Sequence, residues 1–147
     1  MGKKVYQNDE KVLTDIYKSC KMGLESIAKL MPQTKNEQMR QLMGNHLKEY
    51  QGFAARAAQF MAEHGKAPED AGFFEKIPAE IGMAVSRMID SSDSKTAQMM
   101  INGYVMGVTE LKKQQAEVNG LSTNVVTLIS DMLSFQLQAI NDMKQYL

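Results

Sequence analysis

Six side chains with chemistry-bearing groups recur at matching levels of a helical sequence: Tyr17 and Cys20, His46 and Tyr50, Tyr104, and Gln136. Each falls near the centre of an apolar helical face and near the middle of its helix, so four packed helices would bring them to one layer. His46 and Cys20 are the soft donors of the set. As ligands they are two, short of the four that a closed structural zinc site wants. Cys20 as a nucleophile would need a helix start or a cationic cluster to lower its pKa, and the sequence places neither beside it. The residue types favour a hydrogen-bonded polar layer inside an apolar core, which fixes helix register when every donor and acceptor is paired. On this reading no catalytic residue, metal or cofactor is expected.

Other chemistries lack their residues. A carboxylate-bridged di-iron site takes inward glutamates from four helices and two Glu-x-x-His pairs. The sequence has no Glu-x-x-His. Its nearest match is reversed, His46 and Glu49, with Glu49 at the edge of its apolar face, while Asp15, Glu25, Glu110 and Asp131 lie off the buried stripes. No Gly-rich phosphate loop, Cys-x-x-Cys or serine-histidine-acid set occurs. The chain of 147 residues carries 17 basic and 17 acidic side chains with no Lys or Arg run longer than two, so the footprint of a nucleic-acid or membrane-surface binder is missing. The start, MGKKVYQNDE, is polar and no apolar run approaches ~18 residues, so neither a signal peptide nor a membrane span is expected. With the lone Cys20 unable to form an internal disulfide, a cytoplasmic location is expected.

The elements that position the polar layer are helices. Thr34 followed by Glu37 has the capping-box pattern, and Met39, Leu42, Met43, His46, Leu47, Tyr50, Phe53, Ala54, Ala57 and Met61 hold one apolar face to His64. Gly65 supplies a left-handed stop and Pro68 prevents resumption. Such a helix is about 45 Å long and needs other long helices to cover it. Asn8 reads as the cap of a preceding helix, 8–31, ended by Pro32. The short loop before Thr34 makes the pair an antiparallel hairpin. A crossover through 65–93 carries a shorter helix, about 78–90. Ser91, Ser92 and Asp93 then recap the chain for a helix over 93–118, and Ser122 caps the last, 122–146. These two form a second hairpin, all within one domain, 1–147.

The last helix carries apolar residues over roughly 200° of its wheel, twice a core-facing stripe. Either two sides are covered within one chain or one side meets another, and a homodimer through Leu128, Met132 and Phe135 is expected. Methionine, at 13 residues with no tryptophan, is unusually common. Most of it lies on core faces, but Met22, Met99 and Met106 point outward, where they could meet a partner. Met-Gly recurs inside three helices, at Met22-Gly23, Met43-Gly44 and Met106-Gly107. Each glycine costs about 1 kcal/mol relative to alanine there, and close approach is the reason to keep it.

Two hairpins joined by a long connection make an all-α, ferritin-like four-helix bundle. The stretches LTDIYKSCKMGLESIAKL, Leu13 to Leu30, and TAQMMINGYVMG, Thr96 to Gly107, resemble the corresponding helices of an uncharacterised bacterial ferritin-like family, a domain of unknown function. Members of that family often carry a Gly-Glu pair on the first and third long helices. Gly23-Leu24 and Gly103-Tyr104 stand there in this chain, so the resemblance implies no glutamate-borne role. In outline the chain is also similar to ferritin-like spore-coat proteins. The function expected is a non-catalytic structural or protein-interaction module, with metal binding or iron handling as the alternative.

Overall fold

The computed structural model describes residues 2–68 and 92–147, with side chains from residue 8 onward. Its helices are α1, Gly2–Leu30, α2, Glu37–Glu63, α3, Asp93–Glu117, and α4, Thr123–Lys144, with a 3-10 turn, Met31–Gln33, between the first two. The described residues contain no strand. The short helix expected at 78–90 lies outside the described residues.

The helices pair as two hairpins, α1 with α2 and α3 with α4, and the hairpins meet through α2 against α4 and α1 against α3. His46 contacts Asp142 and Arg56 contacts Asp131, at 3.0 and 2.9 Å, so α2 and α4 run in opposite directions. It follows that α2 and α3 run in the same direction, with His64 and Ser92 at opposite ends of the bundle. The buried stripes supply a core of Leu13, Ile16, Leu24 and Ile27 from α1, Met39 and Met43 from α2, and Ile129 and Met143 from α4, all essentially inaccessible to water.

Two helix starts differ from expectation. Asn8 does not cap α1, which begins at Gly2; its side chain donates to the Asn119 carbonyl at 2.7 Å. Beside it, the buried Asp9 carboxylate accepts from the Ser122 amide at 2.9 Å. A negative group there complements the dipole at the start of α4, so Asn8 and Asp9 hold the loop that leads into a different helix across the bundle. Thr34 is not the cap of α2 either. Its hydroxyl donates to the Leu30 carbonyl at 2.8 Å, closing the end of α1, and Asn36 takes the capping role by accepting from the Met39 amide at 3.1 Å. Ser92 and Ser122 cap α3 and α4 as expected. Gly65, at φ +75°, is the left-handed stop after α2.

Three of the glycines inside the helices, Gly23, Gly44 and Gly107, mark close approaches of side chains. A Cβ on Gly23 of α1 would lie 2.7 Å from the Tyr50 ring of α2, and one on Gly107 of α3 would run into the Gln136 amide of α4. At Gly44 the nearest obstacle is the flexible end of Met31, 3.3 Å away. Gly103 differs, since a Cβ there meets nothing within 4 Å. Opposite effects are therefore expected from the same substitution. Gly103→Ala should raise the melting temperature, with up to about 1 kcal/mol gained from helix propensity. Gly23→Ala should lower it, since displacing a buried ring typically costs about 1–3 kcal/mol. Thermal unfolding of both variants decides it; a stabilised Gly23→Ala protein contradicts the packing described.

Candidate functional site

The polar layer forms around His46. Its position in the third turn of α2 points it at the late part of the antiparallel α4 and the middle of α3. Nδ1 lies 2.6 Å from the Tyr104 hydroxyl and Nε2 lies 3.0 Å from Asp142 Oδ2. A carboxylate only accepts, so Nε2 carries the proton and donates to Asp142, while the Tyr104 O–H donates to Nδ1. Both nitrogens of a neutral imidazole are thereby satisfied. Burial lowers the His46 pKa from 6.5, with the Asp142 carboxylate acting in the opposite direction. Burial also pushes the Tyr104 hydroxyl well above its ordinary 10.0. Phe135 fills the space beside them, edge-on to the His46, Tyr50 and Tyr104 rings.

A second polar pair lies against this cluster. The Tyr50 hydroxyl is pushed up mainly by burial, with the neighbouring Gln136 amide acting in the opposite direction, and Tyr50 stacks on Tyr104 with 6.3 Å between centroids. Gln136 is 1% exposed, and its Oε1 has no hydrogen-bond partner. Cys20 is buried and its thiol is pushed up to about 12 by desolvation, which keeps it protonated and unreactive. Tyr17 is buried in the same core. Among the described residues no three His, Cys, Asp or Glu side chains gather where they could hold one ion.

Among the described residues the seam between α1 and α3 holds a depression. A cleft of about 460 Å³ has Tyr50, Tyr104 and Gln136 on its floor and Gly23, Gly103 and Gly107 in its walls. Met22, Met99 and Met106, which the sequence placed on outward faces, line it and are 63%, 41% and 68% exposed. Tyr50, Tyr104 and Gln136, though buried, thus lie at the bottom of a depression among the described residues.

Asp142 was not legible as a member of the layer, because as a charge near the end of a helix it reads as solvated. The signal was register: His46, early in α2, must face the late part of an antiparallel α4. Of the three residues expected at an interface, two are away from the surface and Phe135 is partly buried. Leu128 and Met132 are wholly buried within one chain, and Phe135 is packed against the aromatic cluster. The broad apolar arc of α4 is covered on more than one side by its own bundle, leaving Val126 and Leu137 as its exposed large apolar residues. No helix among the described residues is long and apolar enough to cross a membrane.

Residues 8–114 match a family described as Domain of unknown function (DUF892), and the chain belongs to that family. No curated protein and no solved structure matches the chain.

The burial of His46 sets a pH dependence. Its folded pKa lies below the 6.5 of the unfolded chain, so in the interval between them the unfolded state binds more protons. Stability from this group is present above 6.5 and is lost as the pH falls through that interval. Tyr104→Phe should cost about 1–3 kcal/mol by orphaning the buried Nδ1. His46→Gln should be less stable than the native protein at pH 8, with the gap narrowing towards pH ~5. Melting temperatures measured across that range check both; a gap that stays constant rejects a neutral buried imidazole.

Proposed function

We propose that this family member is a non-catalytic binding module, a ferritin-like four-helix bundle whose working surface is the cleft between α1 and α3. The observation that carries this reading is the pairing of a depression walled by exposed methionines with a buried polar floor. Cavities of roughly 300–1,000 Å³ with mostly apolar linings and a few convergent polar groups are the usual form of ligand sites. Methionines suit such walls, because an unbranched thioether adapts its shape to what it touches.

The same geometry argues against catalysis at this site. A general base needs a free lone pair near the substrate, and both His46 nitrogens are already engaged. Tyr50, Tyr104 and Cys20 are held in their protonated forms by burial, which leaves no activated nucleophile among them. Metal handling is disfavoured on the donor set, since among the described residues Asp142 meets His46 but no third His, Cys, Asp or Glu joins them. The ferritin-like description rests on the hairpin order and the shared direction of α2 and α3, which need a connection along the length of the bundle.

Metal analysis of protein purified without added metal, followed by thermal unfolding with and without chelator, tests this. Metal well below one ion per chain and a melting temperature unmoved by chelator are expected. About two tightly held metals per chain, with a chelator-induced drop, would reverse the proposal, because a ligand bound to the folded state stabilises it by mass action.

A further inference from the structure

We infer that the cleft between α1 and α3 binds a small, neutral or cationic molecule with an apolar body and one N–H or O–H donor, the donor meeting Gln136 Oε1 and the body lying among Met22, Met99 and Met106. This rests on the reading of the chain as a binding module.

Gln136 is, with Gln114, one of two described residues whose buried side-chain oxygen lacks a partner, and it is the one of the two that lines the cleft. Its amide lies beside Tyr50, while Oε1 has no hydrogen-bond partner and the side chain lines the cleft floor. A buried amide oxygen without a partner is costly, so a donor arriving through the cleft is favoured by what it completes. Size narrows the occupant. A volume of about 460 Å³ admits a drug-sized molecule. An α-helix, about 10 Å across with its side chains, could lie over the mouth but could not bring its backbone to a floor that is 1–4% exposed. Charge narrows it further. Asp15 and Glu110 line the cleft against Lys18, a net negative setting that disfavours an anionic headgroup. Gly103 fits the same picture, since no protein atom occupies the space beside it and that space belongs to the cleft.

Titration of protein carrying ¹³C-labelled methionine methyls with indole, and with indene as the isostere lacking the N–H, tests the inference. Indole should shift the Met22, Met99, Met100 and Met106 methyls saturably while Met39 and Met43 stay put. Indene should bind at least about tenfold more weakly, as a site built to pair a donor rejects the analogue without one. Gln136→Leu should bring the two affinities together. Because that variant alters a buried position and could fail to fold, Gly103→Leu provides the second arm: its side chain enters open space, so both probes should lose binding while the core methyls keep their native shifts. Absence of saturable shifts with either probe up to about millimolar concentration, equal affinity of the two in the native protein, or undiminished binding in folded Gly103→Leu would each overturn it. None of these readouts involves metal, so they stand apart from the chelator experiment, which alone decides the underlying reading.

Discussion

A buried imidazole that must satisfy two nitrogens at once is the constraint on which the register of the bundle depends. Apolar stripes attract without direction, and a helix sliding by one turn, about 5.4 Å, would still present an apolar face to its neighbours. His46 removes that freedom. It accepts from Tyr104 on α3 and donates to Asp142 on α4, so one side chain of the first hairpin is tied to both helices of the second. A displacement that broke either bond would leave a buried polar group unpaired. Phe135 reinforces the same level, filling the space among His46, Tyr50 and Tyr104.

The hairpins also repeat one device. In each, the second helix sends a polar side chain past a glycine of the first, Tyr50 past Gly23 and Gln136 past Gly107. The two side chains lie together at the floor of the seam between α1 and α3. A residue with a Cβ at either glycine would block the passage. What the Met-Gly pairs of the sequence accommodate at these two positions is therefore side-chain passage, not backbone contact between helices. Because Tyr50 and Gln136 form the floor of that seam, the polar layer and the cleft have the same origin.

Period and capping chemistry differ in what they reveal before a structure exists. Apolar spacing is local, and it located the long helices and placed Met22, Met99 and Met106 outside and His46, Tyr50, Tyr104 and Gln136 inside. Capping chemistry says which group a side chain can satisfy, not where that group will be. Asp9 and Asn8 read as the start of their own helix but serve residues more than a hundred positions away, and Thr34 serves the helix behind it rather than the one ahead. The breadth of the apolar arc on α4 was legible, but its cause was not. Leu128 and Met132 are covered because α4 packs against α3 and α2 together, a fact of tertiary arrangement that no single helical wheel contains.

Methionine walls and an amide floor divide the work of recognition between them. Thioether side chains lose shape selectivity as they gain adaptability, and a cleft made of them alone would accept many apolar bodies with similar affinity. A hydrogen-bond acceptor selects only if it cannot follow the ligand. Gln136 meets that condition, pinned between Gly107 and Tyr50 at the bottom of the seam, while Tyr50 is held by its stack on Tyr104 and Tyr104 by its bond to His46. The rigidity of the acceptor thus descends from the same imidazole that sets the register of the hairpins. Selectivity in the cleft is then a property of the core, and affinity a property of the walls.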